Sequence, residues 1–360
     1  PNFVSTLMFT LVVGNFTNAS LAIAAPLFSK RRFPMDWIVY LALLVPIGAF
    51  GSLLSTLLLL VVYGHKGPRV EWMVANIEVG TLFSLLAGIS IFAVGSTRDR
   101  LEARNRQLQN EVQLGAVKLQ AQEAELQTAH DIQAHLLPAE IPQIARFQIS
   151  CAWQPAQSVG GDYFDVLAFS PRQVAICLAD VSGKGISAAL LMANLQAAFR
   201  AFASEDVTPG PLCGKLNRAL CSNIGSGKFV TLFYGVLDNE RLTFHYENAG
   251  HSCPLLLRGS EVMTLQEGGT VLGIFAGAQY QDRSIQLAAG DCLILTTDGV
   301  TEAANGSEEE FGEERLTASA FSVRTHGANA IRSKILEDVT RFCNGKFQDD
   351  ASLIVITVDG

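Results

Sequence analysis

Charge is nearly missing from the first 96 residues of this chain, and paired cysteines, zinc-type ligand sets and a basic surplus are missing throughout. Each absence excludes something. The 26 Lys and Arg residues are outnumbered by 34 Asp and Glu, for a net charge of −8. No nucleic acid is expected as a main partner, because phosphate backbones are held by basic surfaces. All seven cysteines lie between Cys151 and Cys343 without a CxxC pair. That pattern points to reduced, buried thiols and a cytosolic C-terminal half. The segment SGKG around Lys184 lacks the G-x-x-x-x-G-K-[ST] spacing of a nucleotide loop. His130 sits where a membrane sensor kinase would carry its phosphoacceptor, but no Asn- and Gly-rich ATP-binding blocks follow it.

What the first 96 residues do contain is long apolar runs, at 3–28, 37–63 and 73–94. A bilayer takes about 20 residues of helix, so each can span it. None has the short apolar core of a cleavable signal peptide. The chain opens on Pro1 rather than Met, which leaves room for an upstream piece, including a further span. Lys30, Arg31 and Arg32 crowd the first connection, and Arg98, Arg100 and Arg104 follow the last span. The positive-inside rule then makes the first connection and the C-terminal half cytoplasmic. The second connection, with only Lys66 and Arg69, falls outside. Asn76 and Glu78 stand near the start of the third run. An ionisable group there is a functional hypothesis, although Glu78 lies close enough to the interface to snorkel.

Residues 97–136 are rich in Gln, Glu, Ala, Leu and Arg and contain no proline. Leu101, Leu108, Ala129 and Leu136 fall on one heptad position, and Asn105, Val112, Leu119 and Leu126 on the other. The pattern predicts a coiled-coil helix joining two chains in parallel, with Asn105 setting its register and Gly115 and Gln122 weakening its middle. The plainer alternative is a solvated spacer helix.

Residues 137–360 read as short strands bounded by turn signals, with helical patterns at 186–203, 211–223 and 328–343. Many antiparallel strands with a few helices indicate an α+β layered domain. Its organising stretch is 158–185, two apolar runs around the turn Ser170-Pro171-Arg172. Asp162 and Asp180 each lie nine residues from Pro171, which places them opposite one another in an antiparallel pair. Two carboxylates so placed repel, and a divalent cation between them relieves the conflict. Taken alone, the pair could equally be two capping aspartates in Gly-rich turns. Asp298 at the end of an apolar strand, and Asp349-Asp350 at the head of the last one, add further carboxylates. Such a hard-oxygen set suits magnesium or manganese.

The blocks GGDYFD, DVSGKG, FVTLFYG, NAGH, LTTDGVTEA and FQDDASLIVI follow the order seen in the PPM family, the protein phosphatase 2C-like enzymes. The chain resembles most the bacterial SpoIIE/RsbU-type branch of sporulation and stress-response phosphatases, over about residues 130–360. The resemblance implies an α-β-β-α fold: a β-sandwich with helices on both outer faces and two divalent metals, Mn2+ or Mg2+, at one end. Carried over by position, Asp180 is the bridging ligand, Val181 contributes its carbonyl, and Asp298 and Asp349 are partner ligands. Asp162 is a further ligand or holds a metal-bound water, and Asp162 and Asp180 are the implied catalytic pair. Asp350 stands where many members have an amide. The family's phosphate-binding Arg ahead of the first block is absent here; Lys184 is the residue placed to take over that contact, and the alternative is that its loop only starts the following helix. His251 in NAGH belongs to a different block and reads as structural.

The implied activity is hydrolysis of phosphoserine and phosphothreonine by a metal-bridging hydroxide. By analogy, the substrate would be a phosphorylated anti-anti-sigma (STAS-type) regulator. The implied setting is a bacterial inner membrane, with the catalytic domain in the cytoplasm and the chain a parallel homodimer. A catalytically inactive receptor of the same fold is the alternative, which the intact aspartates disfavour. The expected division is 1–96 transmembrane, 97–136 coiled-coil signalling helix and 137–360 phosphatase domain.

Overall fold

A computed structural model describes residues 3–24, 26, 35–63, 70–225 and 227–359. The chain divides into two compact units, residues 1–118 and 119–360. Lys30, Arg31, Arg32, Lys66 and Arg69, which carry much of the orientation argument, lie outside the described residues, as does the side chain of Asn76.

In the first unit the apolar runs form α1 (Phe3–Ala24), α2 (Met35–Tyr63) and the opening half of α3 (Val70–Leu136). All three are long and apolar enough to cross a membrane. Large apolar side chains such as Leu11, Leu54, Leu58 and Leu86 face outward, while Ser52, Ser55, Thr56 and Ser84 are buried between helices. Small residues at the contacts are what membrane helices use to approach closely. A Cβ on Gly88 would meet Leu44 Cδ1 at 2.6 Å, and Tyr40 donates its hydroxyl to the Gly88 carbonyl at 2.6 Å. Glu78 is exposed.

α3 continues without a break to Leu136, since no proline or cap intervenes. Along it Leu101, Leu108, Val112 and Leu119 are exposed.

The second unit is a sandwich of two five-stranded antiparallel sheets. One is ordered β1 (Phe147–Gln154), β10 (Ala351–Val358), β9 (Cys292–Thr296), β6 (Leu255–Arg258), β7 (Glu261–Thr264). The other is ordered β2 (Tyr163–Ala168), β3 (Gln173–Val181), β4 (Val230–Asp238), β5 (Thr243–Ala249), β8 (Arg283–Gln286). α4 (Ile186–Phe202) and α5 (Pro209–Asn223) pack on the second sheet, and α8 (Ala328–Phe342) packs on the first beside α7 (Gly312–Ser322).

Strand periodicity explains the layers. In β10, Ile354 and Ile356 join the core between the sheets, while Leu353 and Val355 join a separate core under α7 and α8. Every residue of β10 is therefore buried, which is why ASLIVITV reads as one continuous apolar run. This is the expected α-β-β-α fold. β7 and α7, absent from the sequence-based set, are additions to it, beside the single turn of helix at Asp298–Thr301. β7 is a four-residue, largely exposed edge strand, and α7 buries only Leu316, Ser319 and Ala320, so neither leaves a strong period.

Candidate metal centre and phosphatase site

The β2–β3 ladder pairs Tyr163 with Ala179 and Ala168 with Val174. That register is centred on Pro171, and continuing it by one residue sets Asp162 across from Asp180. Asp180 is the penultimate residue of β3, and its other cross-strand neighbour is Thr231. Asp298 opens the short helix α6 (Asp298–Thr301) after β9, and Asp349 and Asp350 precede β10. Antiparallel pairing of β9 with β10 matches Leu353 to Thr296, which brings the end of one strand beside the head of the other.

These carboxylates feel one another. The Asp180 carboxyl is pushed up to about 7, first by burial and then by the charges of Asp298, Asp349 and Asp350. Asp298 is raised by burial and by Asp349. Asp162, only 1% exposed, is raised well above the usual carboxylate range by burial and then by Asp180. Its Oδ2 accepts the hydroxyls of Thr297 at 2.8 Å and Ser352 at 2.6 Å. Lys184 is the cation at the rim. Its Nζ lies 2.8 Å from Asp349 Oδ2 and donates to the Gln348 carbonyl at 2.6 Å.

Among the described residues, no three His, Cys, Asp or Glu side chains already converge as a metal cage. The donor set still fits a hard divalent cation. It is all oxygen, it is partly buried, and among the described residues Lys184 is the cation paired with it.

Close backbone approach shapes the loops. A side chain at Gly160 would strike the Asp350 carboxylate, and one at Gly161 would lie 2.8 Å from the Val181 carbonyl. A side chain at Gly299 would strike the Asp350 carbonyl. The glycines of GGD and TTDG thus let three acidic loops nest together.

Asp350 has a role that the sequence left open. Its Oδ1 accepts the Ala156 amide at 2.9 Å and its Oδ2 the Gly161 amide at 2.6 Å, so it pins the loop ahead of Asp162. Thr297 and Ser352 were also missed. The available signal was a serine inside an otherwise apolar, fully buried strand, since a buried hydroxyl needs a partner. His251 is buried, with Nδ1 2.8 Å from Thr231 Oγ1 and its amide donated to Asn248 Oδ1 at 2.7 Å. Burial lowers its pKa to about 4, and these hydrogen bonds tie it to β4 and β5.

Residues 170–359 match the family of Stage II sporulation protein E (SpoIIE). The chain belongs to this family. Protein IcfG of Synechocystis sp. is 28% identical over 350 residues, covering 83% of this chain. The chain spans about half, 54%, of the length of that relative. Phosphoserine phosphatase RsbU of Bacillus subtilis is 28% identical over 237 residues, 65% of this chain and 70% of RsbU. The SiaA PP2C domain of Pseudomonas aeruginosa shares the fold at 20% identity, with a TM-score of 0.59 over 68% of this chain and 99% of that domain. The C-terminal sandwich is a PPM-type phosphatase fold.

Proposed function

We propose that this member of the SpoIIE family is a membrane-anchored, divalent-metal-dependent phosphatase of phosphoserine and phosphothreonine in proteins. The observation that carries the reading is the gathering of Asp162, Asp180, Asp298 and Asp349 at one end of the sandwich, where burial and then the charges of Asp298, Asp349 and Asp350 push the Asp180 carboxyl up to about 7. A fold has no structural use for so much uncompensated charge at one sheet end, whereas a metal centre requires it. Asp180, Asp298 and Asp349, the Val181 carbonyl and Asp162 would hold two ions, manganese or magnesium. When bound, such ions supply an activated water and neutralise the phosphoryl oxygens.

The chain's own residues have distinct tasks. Asp162 is fixed by Thr297 and Ser352 and braces the acidic loops from the buried side. Asp350 holds the Gly161 amide and so fixes the chain that leads into Asp162. Lys184 keeps a positive charge at the mouth of the site, where it can pass from Asp349 to a phosphate oxygen of the substrate.

The phosphoserine specificity named for RsbU supports a phosphoserine protein as substrate, and a STAS-type anti-anti-sigma regulator is the proposed one. The three apolar helices support anchoring in a bacterial cytoplasmic membrane, with the phosphatase unit in the cytoplasm. The exposed seam of α3 supports a parallel homodimer. The division proposed is a membrane region to residue 96, a linker helix to 136 and the phosphatase domain beyond.

The test is phosphate release from an aryl phosphate and a phosphoserine peptide by the full chain in detergent, with manganese or magnesium. Asp180→Asn and Asp298→Asn are expected to lose at least about 100-fold in rate, beyond the usual effect of a residue that only supports a ligand. Metal binding without hydrolysis, or neither, would move the chain to the inactive-receptor class.

A further inference from the structure

Gln133 lies in the last turns of α3, within the second unit, and only 3% of it is exposed. Both ends of its amide are engaged by a single residue of the loop that leads into Asp162. Gln133 Nε2 donates to the Gly160 carbonyl at 2.6 Å, and Gln133 Oε1 accepts the Gly160 amide at 3.0 Å. One helical turn earlier, His130 Nδ1 lies 2.6 Å from the Ser158 carbonyl, and its ring stacks on Trp153 at 5.7 Å. From the other side, Asp350 holds Ala156 and Gly161.

The loop 156–161 is therefore clamped between the linker helix and the head of β10, where Asp349 stands. A buried amide placed to satisfy both groups of one residue fixes that backbone in position and orientation, because a shift of either element leaves buried polar groups unpaired. A solvated spacer helix has no need of such a residue.

We propose that Gln133 is a positioning residue of the metal centre. Through the Gly160 backbone it sets the loop that presents Asp162, so metal affinity depends on the seating of the linker helix. This rests on the metal-dependent phosphatase reading above. Residues that orient ligands without touching the metal typically change affinity 10–100-fold when removed.

The experiment uses the full chain in detergent, with Mn2+ as the probe, and compares wild type with Gln133→Met and Gln133→Glu. Mn2+ binding is read by calorimetry, aryl phosphate hydrolysis is titrated with Mn2+, and amide hydrogen exchange is followed at residues 158–162. The Met variant keeps the shape and loses both hydrogen bonds. It is expected to need about tenfold more Mn2+ for half-saturation, to approach the wild-type rate at saturating Mn2+, and to exchange the Gly160 amide faster. The Glu variant keeps the acceptor for that amide and is expected to retain its protection while still binding Mn2+ more weakly. Unchanged Mn2+ affinity in both variants would overturn the proposal while leaving the phosphatase reading intact. A wild-type chain that binds no Mn2+ would overturn both, and that arm separates the two failures.

Discussion

Asp180 and Glu247 show how one cause, burial of a carboxylate, has two outcomes. At Asp180 the neighbours are further carboxylates, and the strain of like charge is the mark of a site. At Glu247 the charge of Asp282 is offset by that of Arg283. It is 1% exposed and accepts the Gln281 amide at 3.2 Å, and burial raises its carboxyl to about 7. The native state therefore keeps this proton between the ordinary glutamate pKa of about 4.3 and about 7, while the unfolded chain has released it. Since the folded form binds more protons in that window, Glu247 makes stability fall as pH rises from about 4.5 to 7. Urea midpoints across pH 4.5–8 should show this fall diminished in Glu247→Gln. Identical slopes in the two proteins would mean that the carboxylate is not protonated on folding.

Elements are tied to the site by pairs that sequence spacing does not reveal. Arg200 on α4 grips Asp165 on β2, with Nε 2.8 Å from Oδ2 and Nη2 3.1 Å from Oδ1, while Tyr163 donates to the same carboxylate at 2.6 Å. Asp165 is fully buried. Arg200→Met would leave that buried carboxylate with only the Tyr163 hydroxyl and the Val166 amide, and because Arg200 itself is 45% exposed the loss is about 1–3 kcal/mol. The expected result is a lower urea midpoint of about that size with the denaturant slope unchanged. A loss below 1 kcal/mol would show that water reaches Asp165 and that the pair acts as a surface bridge. The β2–β3 hairpin, by contrast, was legible in advance. Its turn signal and two apolar runs set a register centred on Pro171, and the ladder follows it. The β4–β5 hairpin around Asp238-Asn239-Glu240 was legible for the same reason. β7 and α7 were not, because an edge strand and a helix with three buried residues owe their place to neighbours rather than to their own periodicity.

Across the whole molecule, one helix runs from the unit of apolar helices into the sandwich unit. Its apolar positions Leu101, Leu108, Val112 and Leu119 stand in solvent, although burying such side chains yields about 1.5–3 kcal/mol each. Pairing with a second copy in register would recover that energy. Val112→Glu should accordingly shift the full chain in detergent from dimer to monomer by sedimentation. A wild-type chain that sediments as a monomer would leave the spacer-helix reading standing.

Local order and chemistry were open to the sequence: three helices of span length from apolar runs, a long proline-free helix, two hairpins, and acidic residues placed at strand ends. These depend on periodicity, turn residues and charge, which are properties of neighbours in the chain. The tertiary structure alone decided which distant groups meet. It set Thr297 and Ser352 on Asp162, turned Asp350 into a backbone anchor, placed Lys184 on Asp349 and closed Gln133 around Gly160. Those contacts join residues as far as 194 positions apart, as between Ala156 and Asp350. They arise because burying both sheets leaves each polar group at the sandwich end to find its partner within the protein.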